Sequence, residues 1–195
     1  MATQFGLVKL DGVRLADLAT IGLYSTDATA PGREVLVGLD PAACEVDGGV
    51  LIAQGTTDIA QENQAQALAL GTRVVAVGVA TVDNTYVLSV YDRGGVVRHV
   101  VDTLEERSFE VGDPLPEEEG LARMTEHSAL RVFRKLTGVS LQGALEAEFT
   151  VLRPAQEHDE PGPRPWWRQL LGLRTDKEGY ADKTGPPVLD PADER

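Results

Sequence analysis

The chain predicts an α+β fold, a mainly antiparallel sheet with packed helices followed by a proline-rich tail, and three observations support it. Residues 73–101, RVVAVGVATVDNTYVLSVYDRGGVVRHVV, hold three apolar runs separated by two turn signals. Apolar residues recur at helical spacing in 58–71 and again in 117–136. After Arg153 the composition changes, and seven of the eleven prolines fall within 154–195.

Strand side chains alternate between two faces. In 73–81 this puts Val75, Val77 and Val79 on one face and Val74, Ala76, Gly78 and Ala80 on the other. Both sets are apolar, which predicts a central strand covered on each side. Asp83 and Asn84 supply turn chemistry before a second strand at 86–91, and residues 92–95 (Asp-Arg-Gly-Gly) close a second hairpin. In the third strand Val96, Arg98 and Val100 are expected on one face and Val97, His99 and Val101 on the other. One polar group on each face places it nearer the edge.

Length and charge narrow the class. A chain of 195 residues suffices for one domain, expected at 1–153, with a tail at 154–195. A net charge of −13 argues against nucleic-acid binding, which needs clustered Lys and Arg. Cys44 is the single cysteine and has no partner for a disulfide or a metal pair, as expected of a reducing cytoplasm. No leader pattern opens the chain and no long apolar run interrupts it, so a soluble cytoplasmic protein is expected.

Taken in order, residues 5–10 read as a first strand ending at Asp11-Gly12, and 13–21 as a short helix. Ala30-Pro31-Gly32 breaks the chain. Residues 34–39 and 49–54 read as the next two strands, with turns at Asp40-Pro41 and Asp47-Gly48-Gly49 between them. Asp58 and Gln61 form a capping pair for a helix ending at Gly71, with Ile59, Ala60, Ala67 and Leu70 as its apolar stripe. Gln61, Asn63, Gln64 and Gln66 are expected on its solvated side. Asp113-Pro114-Leu115-Pro116 must be extended. Glu117, Glu118 and Glu119 then open a helix whose stripe is Leu121, Met124, Ser128, Val132 and Leu136. Residues 140–146 form a short helix and 148–152 a last strand.

The motif Tyr91-Asp92-Arg93-Gly94-Gly95-Val96-Val97-Arg98, followed by Gly112-Asp113-Pro114-Leu115-Pro116-Glu117-Glu118, resembles a pattern in uncharacterised proteins of high-GC actinobacteria. The resemblance covers roughly residues 73–140. It implies the same fold and a bacterial origin, and it brings no catalytic residue with it.

Motif chemistry is sparse. Phosphate-loop, dinucleotide, zinc-protease, Cys-x-x-Cys and Gly-x-Ser-x-Gly patterns are all missing. His99 is expected to be hydrogen-bonded and partly buried, His127 to lie at the surface, and His158 to sit in a solvated charge cluster. The acidic run at 113–119 reads as a helix-start charge bias, and Cys44 as a buried small residue. No catalytic residue, cofactor or metal is assigned, and the enzyme question leans to no.

The tail holds one exception to its polar composition, PWWRQLLGL at 165–173. Trp166, Leu170 and Leu173 repeat at helical spacing, and Trp167 and Leu171 make a second line. Arg164, Arg168 and Arg174 flank them, with no acid between Pro161 and Thr175. Tryptophan beside arginine is the composition of interface hot spots. The expected function is a non-enzymatic interaction module in which Trp166, Trp167, Arg168, Leu170 and Leu171 dock on a protein partner or another copy rather than a membrane surface, with docking back on the chain's own domain as the alternative. The rival is a small-ligand-binding protein or enzyme using the sheet and the acidic 113–119 segment.

Overall fold

The computed structural model describes residues 4–57, 64–103 and 107–154. They form a nine-stranded sheet in which every neighbouring pair is antiparallel. In chain order the strands are β1 (Gln4–Asp11), β2 (Leu23–Pro31), β3 (Ala42–Val46), β4 (Gly49–Gln54), β5 (Arg73–Ala80), β6 (Thr85–Asp92), β7 (Gly95–Asp102), β8 (Arg107–Val111) and β9 (Glu148–Pro154). Across the sheet they run β2-β9-β3-β4-β1-β5-β6-β7-β8. Both faces are covered. A 3-10 helix (Leu15–Ile21) and α2 (Gln64–Leu70) pack on one; α1 (Gly32–Val35), α3 (Glu126–Thr137) and α4 (Leu141–Glu146) pack on the other.

The alternation in β5 sorts its side chains between two cores as expected. Val75, Val77 and Val79 join Phe5, Leu7, Leu51 and Leu88 beneath Val132 and Phe133 of α3. Val74 and Ala76 join Val8, Leu10 and Ile52 beneath Leu18 and Ala67. Every one of these β5 residues is fully buried. At about 25 cal/mol per Å² of apolar surface, the two layers outweigh any single polar contact in the fold. The first residue of β4 must be glycine, because Gly49 has φ +153° and a Cβ there would meet the Leu10 carbonyl oxygen at 1.9 Å.

Several expectations are corrected. Residues 34–39 are not a strand: Gly32–Val35 is one helical turn, with the Leu36 amide bonded to the Gly32 carbonyl. Val35 and Leu36 are drawn into the core while Val37 and Leu39 stay outside. Gly32 lets this turn abut α4, since a Cβ would lie 1.8 Å from the Ala144 carbonyl oxygen. Three strands arise where no strand pattern was read. β2, LYSTDATAP, is a polar edge strand with a register shift between Ser25 and Thr29; β3 and β8 have five residues each.

The helix expected from Glu117 begins nine residues later. Pro116–Glu118 is a 3-10 turn, Gly120 is left-handed at φ +78°, and α3 starts after Thr125, whose hydroxyl accepts the Ser128 amide. Leu121 and Met124 still pack on the same core, from a loop. A bulge opposite Tyr91 also separates Val96 from Arg98: Val96 pairs with Tyr91 of the second core, Arg98 with Val90 of the first. Of the α2 residues expected in solvent, Gln66 is buried instead, beside Ala67 on the side facing the sheet. Its Oε1 has no hydrogen-bond partner. The Asp58 and Gln61 capping pair, Ile59, Ala60 and Asn63 lie outside the described residues. No helix among the described residues is long and apolar enough to cross a membrane.

Candidate functional site

The acidic segment spends its central carboxylate internally. Arg98 is fully buried on β7, where its Nε donates to Glu118 Oε1 at 2.8 Å and its Nη2 to Oε2 at 2.9 Å. Nη1 donates to the Gly112 carbonyl at 2.6 Å, and Glu110 Oε1 lies 2.6 Å from Nη2. Burial works against the guanidinium charge, but the bonds from Glu118 and Glu110 outweigh it and hold its pKa above the ordinary value. The same Glu118 Oε1 accepts the Leu115 amide at 3.0 Å, which closes the 3-10 turn. Asp113 and Glu119 remain exposed on the surface. Among the described residues no group of three or more His, Cys, Asp or Glu side chains is arranged to hold a metal.

His99 is half-buried on the second face, with Nδ1 2.8 Å from Ser89 Oγ and its ring edge-on to Phe109 at 5.3 Å. Burial pushes its pKa below the ordinary 6.5. Ser89 is fully enclosed, so the pair is a core hydrogen bond with no exposed nucleophile. His127 is exposed on α3, and His158 lies outside the described residues. The Cys44 thiol is buried and pushed up to about 11 by that burial. A cavity of about 340 Å³ opens between the β3–β4 turn and the α3–α4 junction, lined by Val46, Asp47, Leu51, Thr137, Ser140 and Ala147 among others. Neither His99 nor His127 reaches it.

The feature that sequence reasoning missed is the β8 edge. His99 faces Val111 and Val101 faces Phe109, so these four share the second face. α2 packs over β5, β6 and β7 on this face. Past it Phe109 is 51% exposed and Val111 39%; Val96 and Val97, at 41% and 40%, precede the part of β7 that pairs with β8. Leu68 of α2, 68% exposed, leans on Gly94 and extends the patch. The signal was present as Phe109-Glu110-Val111, an apolar-polar-apolar alternation hidden by the acids around it. From Asp102 to Glu119 the sequence carries eight acids and one base, Arg107.

Trp166, Trp167, Arg168, Leu170 and Leu171 lie outside the described residues. No family model matches this chain, and no curated protein or solved structure is detectably similar to it.

Proposed function

We propose that this protein is a non-enzymatic, cytoplasmic interaction module whose 165–173 segment docks on a protein partner or another copy. Trp166, Trp167, Leu170 and Leu171 supply the apolar contact, and Arg168 supplies charge. The supporting observation is the β8 edge. This strand ends the described sheet and carries outward Phe109 and Val111 within an acidic stretch. Such a surface suits association through apolar burial, worth roughly 1.5–3 kcal/mol per large side chain before ordering costs.

The test uses the full chain, in which both tryptophans sit in this one segment. Native emission is expected to be blue-shifted from that of the denatured chain, and salt is expected to reduce the shift because residues 164–174 carry three arginines and no acid. Emission at the denatured position under every condition, with added lysate or lipid vesicles included, overturns the proposal.

A further inference from the structure

We infer that the tryptophan segment of one copy docks on the β8 face of a second copy, against Val96, His99, Phe109 and Val111. This inference rests on the proposed function and names the receptor surface. Three observations carry it: the character of the patch, its charge, and the reach of the chain.

The patch has the size and chemistry for the segment. His99, Phe109 and Val111 meet on one face of the sheet, with the His99 ring held by Ser89 and Phe109, and Val96 adds exposed apolar surface three residues earlier on β7. Two tryptophans and two leucines within six residues of sequence can cover such a strip. Charge decides between this occupant and a simple pairing of two β8 edges. Counting Arg98, which pairs with Glu110 and Glu118, the 98–119 stretch keeps a net charge of −6, so two such edges repel, whereas 161–175 has three arginines and no acid.

Reach decides between the same copy and another. The described chain ends in β9, seven strand intervals from β8. At ~4.8 Å per interval the two strands are about 34 Å apart along the sheet. From Pro154 to Pro165 the chain has eleven steps, which span at most about 36–40 Å when fully extended. The 3-10 helix and α2 stand on this face, so a path across it must also clear them. Docking within one copy therefore needs the connecting residues pulled nearly straight, which makes the effective concentration of the segment at its own patch very low. Another copy imposes no such demand. Reciprocal exchange closes a two-fold dimer in which each patch receives one segment.

Sedimentation velocity and tryptophan emission on the full chain test this together. The wild-type chain is expected to associate as its concentration rises, with emission moving to the blue and returning on dilution. Trp166→Ala with Trp167→Ala, and separately Val96→Lys with Val111→Lys, should each abolish association. Mixing the two variants should restore it, because one retains the face and the other the segment. Phe109→Ser is a second face variant, and unchanged thermal unfolding of each variant shows that its domain is intact. Blue-shifted emission that is independent of concentration but lost in the face variants means docking within one copy and overturns the inference. Blue-shifted emission unaffected by any face variant means the segment docks elsewhere; the proposed function then stands and the inference falls. Emission at the denatured position at all concentrations removes both.

Discussion

Arg98 and Glu118, twenty residues apart in sequence, meet inside the protein as a two-point fork with N–O distances of 2.8 and 2.9 Å. Both are buried, at 0% and 6% exposure. Planar guanidinium matches planar carboxylate, so the contact fixes direction as well as distance. It ties the loop before α3 to a strand next to the sheet edge, and the Gly112 carbonyl and Glu110 complete the cation's partners.

Removing one member of such a pair leaves the other charge buried without its match, at about 3–5 kcal/mol. Because Glu110 and the Gly112 carbonyl still hold Arg98, Glu118→Ala is expected to lower unfolding stability by the lower end of that range, about 3 kcal/mol, in denaturant titrations. Glu117→Ala and Glu119→Ala should stay within about 0.5 kcal/mol of the parent chain. Equal midpoints for all three variants would show that the fork contributes nothing.

Thr125 marks the start of α3. Its hydroxyl accepts the Ser128 amide at 3.2 Å, while the Ser128 hydroxyl accepts the Thr125 amide at 2.7 Å. Thr125→Ala should cost about 0.5–2 kcal/mol and speed hydrogen exchange at the Ser128 amide. If exchange there is unaltered, the helix starts elsewhere.

His99 gives stability a dependence on pH whose sign follows from its burial. Its folded pKa lies below the ordinary 6.5, so between those two values the unfolded chain binds the proton more readily. Stability contributed by neutral His99 is present above about 6.5. It is lost as pH falls toward the folded pKa. His99→Gln should flatten this part of the stability curve, and an NMR titration should place the ring below 6.5. A midpoint at or above that value contradicts the assigned environment.

Cys44 is expected to resist thiol reagents. With its pKa pushed to about 11 by burial, almost no thiolate exists at neutral pH, and access requires local opening. Labelling of the native protein should be slow and should accelerate in sub-denaturing urea. Reaction at the rate of a free thiol in native buffer would place Cys44 at the surface.

The legible parts of this fold are those whose signals are local. Two-faced alternation in β5 and Asp-Asn and Gly-Gly turns in the adjoining hairpins specify β5, β6 and β7 with little help from elsewhere, and Ser140 caps α4 from its own first turn. Half-burial of His99, exposure of His127 and enclosure of Cys44 also follow from their neighbours in the chain. β2 and β3 carry weak local preference and become strands because β9 arrives between them from more than a hundred residues away. α3 begins at Glu126 because Glu118 is held by Arg98 and Gly120 turns the chain, so a local charge pattern yields to a buried ion pair. Likewise the β8 patch exists only through placement. Phe109 and Val111 alternate like any strand residues, and it is the end of the sheet beyond α2 that leaves them uncovered. Local periodicity selects which residues can share a face; pairing between distant strands decides which of those faces is buried.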